Sequence, residues 1–176
     1  MELKDILDKN IIDLKVQGST KTDVLHNMSK LLLAHGYIDD IDTFVKDIYA
    51  REAEGPTGMG SGLSIPHGKS SAAKKISIAI GRTLHPIQWE SSIDPSGFQK
   101  TDMIFLFCVS ADSSFAQNHM LLLSQLAGKL GNESRLAQLR ACTTAQEIID
   151  TIVCEDSELK QHASSEEEIV DLDIDL

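Results

Sequence analysis

The chain has 176 residues, 41% apolar and 24% charged, which is typical of one soluble globular domain. Its formal net charge of −11 argues against a nucleic-acid partner, because a phosphate backbone requires clustered Lys and Arg. The amino terminus lacks a continuous apolar stretch, and the longest apolar runs have only the length of strands. Neither a secretory signal nor a membrane insertion is predicted, and we expect a cytoplasmic protein.

The negative charge is concentrated at the C-terminal end. Residues 155–176 contain nine acidic residues and one lysine, a net charge of −8, which leaves −3 for the rest of the chain. This change in composition predicts a folded domain, 1–154, followed by an acidic tail or interdomain linker, 155–176. The closing sequence IVDLDIDL alternates apolar and acidic residues, so a strand added to a sheet edge is the alternative to a disordered end.

The domain is predicted to begin with a short helical pattern, a strand and a helix. In the sequence IIDLKV, the alternating Ile12, Leu14 and Val16 are expected on one face of the strand. Thr20 begins a capping box, which predicts the start of the helix. Gly36 fits the end of the same helix.

The middle of the chain predicts a second helix and two strands. The helix begins near Asp40 or Asp42 and stops before Gly55, and a short strand over 63–65 ends at a Pro-His turn. In KISIAIGRTL the isoleucines alternate, which predicts a strand with these side chains on one face. Trp89 is expected beyond that strand, in an irregular stretch where prolines mark turns.

A continuous apolar strand and three helices complete the domain. The sequence MIFLFCV, at 103–109, is apolar without alternation, as in a strand that is covered on both faces. A helix is predicted over 116–130, followed by one in ESRLAQLRAC and one that Thr144 caps. The order of these elements predicts an α/β fold in which a mixed, mostly buried sheet has helices on both faces.

The segment TGMGSGLSIPHGKSS contains three alternating glycines but matches none of the common glycine motifs. A dinucleotide fingerprint requires its third glycine one residue later, a P-loop requires a glycine where Leu63 stands, and a nucleophile elbow requires one where Met59 stands. Gly58, Gly60 and Gly62 nevertheless permit positive φ and a close backbone approach. We therefore expect their N–H groups to form an anion-binding concavity.

His67 follows this loop, between Pro66 and Gly68. We expect it where a strand ends, at the edge where open α/β sheets bind ligands. A histidine with an ordinary pKa of ~6.5 is largely neutral at pH 7. If a carbonyl or carboxylate accepts one ring N–H, the other nitrogen keeps its lone pair and can act as a nucleophile. The alternative is a structural histidine in a turn.

His119 and Arg51 are further candidates for the same site. His119 begins the helix after the buried strand and is expected near that strand's carboxyl end, so the two histidines can meet. Arg51, in the last helical turn before the glycine loop, can bind a phosphoryl group through its planar guanidinium. Its alternative role is that of a cation at a helix C-terminus. His85 lies at a strand end, and a zinc site that combined it with the other two histidines would have no spacing signature.

Four segments resemble the EIIA domains of the bacterial phosphoenolpyruvate-dependent sugar phosphotransferase system, in the fructose/mannitol class with its nitrogen-regulatory relatives. They are AREAEGPTGMGSGLSIPHGKS at 50–70, IQWE at 87–90, the apolar strand through Phe107, and NHMLLLSQLAGKL at 118–130. The resemblance covers residues 1–154 and implies the fold of phosphotransferase/anion transport proteins. Ser61 stands where family members often carry an acid, which bears on the fit to partners.

The resemblance implies that this chain is a phosphotransferase component. His67 would accept a phosphoryl group from the phosphohistidine of HPr and pass it to a cysteine of an EIIB domain for sugar uptake, with membrane EIIC in the same complex. His119 matches the second histidine of the family, and Arg51 matches its phosphate-stabilising arginine. Because the phosphoryl group is carried covalently on His67, neither a cofactor nor a metal is implied.

Two other functions are compatible with the sequence. A regulatory relative of the nitrogen-related type would use the phosphorylation state of the same histidine to control its binding to target proteins. A plain anion or nucleotide binder that used the glycine loop would keep its ligand after His67 is replaced.

Overall fold

The computed structural model describes residues 2–111 and 116–159. After a short 3-10 helix, Leu3–Ile6, the strands are β1 (Leu7–Val16), β2 (Gly58–Gly60), β3 (Leu63–Ser64), β4 (His67–Ser70), β5 (Ser77–Glu90) and β6 (Phe98–Ser110). The helices are α1 (Lys21–Ala34), α2 (Ile41–Glu52), α3 (Ala116–Leu130), α4 (Glu133–Ala141) and α5 (Ala145–Val153). Within these described ranges, no helix is long and apolar enough to cross a membrane.

The strands of the described residues form one mixed sheet in the order β1-β5-β6-β3-β2, and β4 also pairs with β6. β1 runs parallel to β5, and β5 is antiparallel to β6. β3 and β4 both run parallel to β6, while β2 folds back on β3 as a short hairpin. The long strand β6 therefore lies inside the sheet, with neighbours along both of its edges.

β3 and β4 form one interrupted strand along β6. Leu63 pairs with Met103 and His67 pairs with Phe107, so the register is the same on both sides of the break. The carbonyl of Pro66 accepts the N–H of Phe107 at 2.9 Å, which keeps the linker beside β6. The predicted short strand therefore resumes at His67, directly after Pro66. The sequence analysis expected His67 at the end of a strand. In the structure it is the first residue of β4.

Helices cover both faces of the sheet. Alternate residues of β6 enter two hydrophobic clusters, Phe105 and Phe107 the first and Ile104 and Leu106 the second. Apolar side chains of α3, α4 and α5 complete the first cluster, and those of α1 and α2 complete the second. The strand predicted at 103–109 and the mixed α/β architecture are both confirmed.

The predicted ends of the first two helices agree with the structure. Thr20 caps α1 by accepting the N–H of Asp23 at 3.1 Å, and Gly36, with φ of 78°, follows its C-terminal end. Asp40 caps α2 by accepting the N–H of Thr43 at 2.9 Å. These ends depend on hydrogen bonds between residues that are close in sequence, which is why the sequence alone predicts them.

The prediction for the end of β5 is wrong. The strand continues through Pro86, so that Trp89 is a fully buried strand residue and not part of an irregular stretch. The pairing of β5 with β6 shifts in register between Arg82 and Ile87. Proline has no N–H to donate to a neighbouring strand. It is tolerated here because the irregular pairing requires no ladder hydrogen bond from this residue.

The face predicted for β1 is also wrong in part. Ile12 and Leu14 pack against the first cluster, whereas Val16 belongs to the second. The pairing of β1 with β5 shifts between Asp13 and Val16. One extra residue in a strand reverses the side-chain alternation, so Val16 points to the opposite face.

The described structure continues past residue 154, where the domain was predicted to end. Leu159 is fully buried. The fully buried Arg135 donates to the Cys154 carbonyl at 2.6 Å and pairs with the Asp156 carboxylate at 3.0 Å. These contacts hold the chain against α4 up to residue 159. The remainder of the acidic tail, with IVDLDIDL, lies outside the described residues, and its role as tail or linker stays a prediction.

Candidate functional site

His67 is oriented by a carbonyl of its own strand break. Its Nδ1 lies 2.8 Å from the Ile65 carbonyl oxygen. Because a carbonyl oxygen only accepts hydrogen bonds, Nδ1 carries the proton of the neutral ring. Nε2 therefore keeps its lone pair. The sequence required such an acceptor for a nucleophilic histidine, and the structure provides it from the backbone two residues earlier.

The surroundings of His67 lower its pKa from the ordinary value of 6.5. Burial is the largest cause, because it disfavours the charged ring. The Ile65 carbonyl raises the pKa of His67, the charge of Arg51 lowers it, and the charge of Glu52 raises it. The net lowering keeps the ring neutral at pH 7, which is the form that has a nucleophilic nitrogen.

His119, in the first turns of α3, lies next to His67. The two ring centroids are 6.0 Å apart, and the His119 ring packs edge-on against Phe107 with centroids 5.7 Å apart. His119 is only 9% exposed, and neither of its ring nitrogens has a hydrogen-bond partner among the described residues. Burial, then His67, then Lys69 lower the pKa of His119. Since buried polar groups are normally bonded, its nitrogens are available for a group bound at His67.

Arg51 lies in the last turn of α2, which packs directly on β4. The close packing depends on Gly68, because a Cβ atom at this position would lie 2.9 Å from the Asp47 carbonyl oxygen and 3.5 Å from Arg51 Cβ. The Nη1 of Arg51 donates to the Gly55 carbonyl at 3.1 Å, a contact that also suits a cation at a helix C-terminus. Arg51 is near enough for its charge to lower the pKa of His67.

The structure thus brings Arg51, His67 and His119 together. A phosphoryl group on Nε2 of His67 would add a charge of about −1.5 to −2 at this position. A guanidinium and a second imidazole can stabilise that charge by hydrogen bonding and electrostatic attraction. Phosphoryl transfer depends chiefly on positioning and charge stabilisation, so this arrangement suits a phosphoryl carrier.

The glycine hairpin does not lie at His67. The Gly62 carbonyl accepts the N–H groups of Asp102 and Met103, whereas His67 pairs with Phe107, four and five residues further along β6. At ~3.3 Å per residue, this is a separation of roughly 13–17 Å. The predicted phosphate concavity is therefore not adjacent to the nucleophile.

Protein groups occupy the space beside Gly58 and Gly62 and bond the N–H of Gly60. The N–H of Gly60 donates to Gln99 Oε1 at 2.8 Å. A Cβ atom on Gly58 would lie 2.6 Å from the Glu90 carbonyl oxygen, and one on Gly62 would lie 2.6 Å from Arg140 Nη2. The prediction that Gly58, Gly60 and Gly62 surround a phosphoryl group does not fit this placement. Gly58 and Gly62 make room for the Glu90 backbone and for Arg140, and the N–H of Gly60 is already bonded to Gln99.

His85 lies away from the two paired histidines. It is exposed on β5, in the irregular stretch between Arg82 and Ile87. His67, by contrast, pairs with Phe107 near the other end of β6. The three histidines considered for a zinc site are therefore not brought together.

A buried polar cluster beside the site was not predicted from the sequence. Lys21 Nζ binds the carboxylates of Glu52 and Glu90 at 2.7 and 2.6 Å. Glu52 also hydrogen-bonds to the Thr57 hydroxyl, which accepts the Nε1–H of Trp89 at 3.2 Å. The cluster joins α1, α2, β5 and the segment before β2. Part of it lies in two of the four segments that carry the family resemblance, but a lysine in the first turn of a helix gives no sequence signal.

Comparison with known proteins gives a family and several relatives. The family described as "Phosphoenolpyruvate-dependent sugar phosphotransferase system, EIIA 2" matches residues 5–154. The PTS system 2-O-alpha-mannosyl-D-glycerate-specific EIIABC component of Escherichia coli (strain K12) is 28% identical over 152 residues, 86% of this chain and 22% of the relative. The PTS system fructose-like EIIA component of the same strain is 28% identical over 140 residues, 80% of this chain and 90% of the relative.

The chain therefore spans about a fifth of the first relative and nearly all of the second. Among solved structures, the nitrogen regulatory protein IIA-Ntr from Neisseria meningitidis has a TM-score of 0.74 and 26% identity, covering 86% of this chain and 99% of the other. This likeness confirms the fold predicted from the resemblance. Because the family model matches residues 5–154, this chain belongs to the EIIA 2 family of the phosphoenolpyruvate-dependent sugar phosphotransferase system.

Proposed function

We propose that His67 accepts a phosphoryl group from phosphorylated HPr and passes it to a cysteine of an EIIB domain. The observation that carries this proposal is the hydrogen bond from Nδ1 to the Ile65 carbonyl, which leaves the Nε2 lone pair free beside His119 and near Arg51. Family membership supports a phosphocarrier role of the fructose/mannitol class. In this role the phosphoryl group is carried covalently on His67, without a separate cofactor.

The proposed reaction consists of two in-line displacements. In the first, the Nε2 lone pair of His67 attacks phosphorus, a new N–P bond forms, and the N–P bond of the donor histidine breaks. In the second, a cysteine thiolate of EIIB attacks the same phosphorus, an S–P bond forms, and the imidazole of His67 leaves. Arg51 and His119 are proposed to stabilise the negative charge of the equatorial oxygens in both steps.

The relatives support EIIB and EIIC as partners. The mannosyl-D-glycerate relative is named as an EIIABC component, so its A, B and C parts belong to one named protein. We propose that this domain works with EIIB and EIIC components in sugar uptake. The sugar is chosen by those partners and not by the phosphoryl-carrying site described above.

Intact-mass spectrometry tests the carrier role. The protein is incubated with phosphoenolpyruvate, enzyme I and HPr, and wild type is compared with His67→Ala and with His85→Ala as the matched control. We expect one acid-labile phosphoryl group on wild type and on the His85 variant, and none on the His67 variant. An unphosphorylated wild type beside a fully phosphorylated HPr would overturn the proposal.

The likeness to IIA-Ntr supports a second candidate function, in which the phosphorylation state of His67 controls binding to target proteins. The two functions differ in the fate of the phosphoryl group. Purified EIIB domains of the fructose class are added to the phosphorylated protein, and the mass of both partners is followed. Rapid transfer to the EIIB cysteine supports transport, whereas a phosphohistidine that persists beside active EIIB supports regulation.

A further inference from the structure

A buried cation pairs with the last residue of α2, the helix that packs on the strand of the proposed nucleophile. Lys21 is the first residue of α1, and its side chain is only 10% exposed. Its ammonium group binds Glu52 and Glu90 and lies 4.8 Å from the centroid of the Trp89 ring. The two carboxylates differ in their need for Lys21, because the side chain of Glu52 is 6% exposed and that of Glu90 is 50% exposed. Water stabilises Glu90, whereas the charge of Glu52 depends on Lys21.

Three hydrogen bonds, joined through Thr57 and Ile65, lead from this ion pair to His67. The second carboxylate oxygen of Glu52 bonds to the hydroxyl of Thr57. The carbonyl of Thr57 accepts the N–H of Ile65 at 3.1 Å, and the carbonyl of Ile65 accepts the Nδ1–H of His67 at 2.8 Å. Thr57 and Ile65 each join two of these bonds through their own covalent atoms, so a displacement of Glu52 can reach the Ile65 carbonyl.

The charge of Glu52 also acts on the site directly. The charged groups that affect His67 come from α2, where Arg51 lowers its pKa and Glu52 raises it, while the His119 ring faces it from α3. A carboxylate without its cation would favour the protonated, non-nucleophilic form of His67. It would also repel the phosphoryl group that the proposed function places there.

We propose that Lys21 is a positioning residue for His67: it holds Glu52 at the far end of the hydrogen-bonded series and neutralises the carboxylate charge beside the phosphoryl-accepting ring. This inference rests on the proposed function, in which His67 carries the phosphoryl group. Lys21 itself touches neither His67 nor, in this proposal, the reacting atoms.

Titration of His67 tests the inference without any phosphoryl donor. Histidine is labelled with ¹⁵N, and the imidazole nitrogens of His67 are followed by NMR across the pH range. The proteins are wild type, Lys21→Met, Glu52→Gln, the double variant Lys21→Met/Glu52→Gln, and Glu90→Gln as the matched control. The control removes the carboxylate of Glu90, the exposed partner of Lys21, and keeps the pair between Lys21 and Glu52.

The two single variants are expected to change the titration in opposite directions. Lys21→Met raises the pKa of His67 by roughly 0.5 pH unit, because Glu52 is no longer neutralised, and Glu52→Gln lowers it by a similar amount. The double variant returns to within about 0.2 pH unit of wild type, as does Glu90→Gln. Lys21→Met leaves the buried carboxylate of Glu52 unpaired and can fail to fold for that reason. In that case Glu52→Gln and the double variant still decide the question.

Phosphoryl acceptance from HPr provides the second readout. Lys21→Met is expected to accept the group about tenfold more slowly, and the double variant to recover most of that loss. An unchanged titration of His67 in Glu52→Gln, or a double variant displaced as far as Lys21→Met, overturns the inference. A failure of the proposed function has a different signature, since wild type would then form no phosphohistidine while the titrations still shift as expected.

Discussion

At the scale of single residues, the chemistry of the site depends on the hydrogen bond between the Ile65 carbonyl and His67 Nδ1. The carbonyl is available because the strand is interrupted at this point, so that Ile65 bonds through its N–H to Thr57 and not to the ladder of β6. Pro66, which lacks an N–H, occupies the gap between the two halves of the strand. Conformation of the backbone thus fixes the tautomer of the proposed nucleophile.

His119 tests whether the second imidazole stabilises the transferred group. His119→Ala is expected to slow phosphoryl acceptance by His67 about 10²-fold, the typical cost of removing one group that stabilises charge in a transition state. The measurement is the rate of phosphohistidine formation at saturating phosphorylated HPr. Circular dichroism and the urea midpoint check that the fold is retained. A folded variant whose rate stays within about threefold of wild type would show that His119 only packs against Phe107.

The sequence allowed His67 and His119 to meet, as the structure places them, but it did not reveal the contacts of the glycines. His67 was singled out because it follows a glycine-rich loop and lies between Pro66 and Gly68. His119 and Arg51 followed from their places at the ends of elements. The glycines misled the prediction, since Gly62 serves the approach of Arg140. The group that packs against a glycine belongs to a residue distant in sequence, and the spacing of the glycines does not identify that residue.

At the scale of elements, the contact between α2 and β4 places Arg51 beside His67. The two elements approach closely because Gly68 has no side chain where the carbonyl of Asp47 and the Cβ of Arg51 lie. The helix in turn ends at Glu52, whose carboxylate is tied to Lys21. Packing of α2 on β4 therefore fixes the position of Arg51 relative to His67.

Gly68→Ala tests this packing. A Cβ atom 2.9 Å from a backbone oxygen forces α2 away from β4, so we expect a loss of about 1–3 kcal/mol in the free energy of unfolding and slower phosphoryl acceptance. Gly128→Ala in α3 is the matched control, because a Cβ there meets nothing within 4 Å. Alanine at that helical position is expected to stabilise by up to about 1 kcal/mol. Urea unfolding of both variants checks the pair, and equal effects would contradict the packing argument.

Helices were predicted more accurately than strands, for a physical reason. The caps at Thr20 and Asp40 involve neighbours three residues away, so the local sequence contains the whole signal. Strand β5 was cut short at Pro86, because proline usually ends a strand. The shift in its pairing with β6, which lets the strand pass through Pro86, depends on a partner strand and is not visible in the local sequence.

At the scale of the whole molecule, the C-terminal end of the domain is fastened by Arg135 and Leu159. Leu159→Ala is expected to lower the free energy of unfolding by about 2–4 kcal/mol, because the side chain is fully buried. Leu121→Ala, at a position that is 54% exposed, is the control and should change it by less than about 0.5 kcal/mol. Urea unfolding measures both. A Leu159 variant as stable as wild type would place the end of the packed domain nearer residue 154.

The pH dependence of stability is a second property of the whole molecule. Burial lowers the pKa of His67 and of His119 below 6.5, so the unfolded chain binds more protons than the folded one as the pH falls through this region. Acid therefore weakens the fold, and this part of the stability is regained above about pH 6.5. The free energy of unfolding is measured near pH 7.5 and near pH 5.5 for wild type and His119→Gln. Between these two pH values wild type should lose more free energy of unfolding than His119→Gln. Equal losses would contradict a lowered pKa of His119 in the folded state.

The central claim is that His67 carries a phosphoryl group on Nε2, and one spectrum tests it most directly. The protein is labelled with ¹⁵N-histidine, phosphorylated through enzyme I and HPr, and examined by ¹H–¹⁵N correlation NMR of its imidazole rings together with ³¹P NMR. We predict a single phosphohistidine, His67, with phosphorus bonded to Nε2 and the proton still on Nδ1. Phosphorus on Nδ1, or on any residue other than His67, would contradict the account.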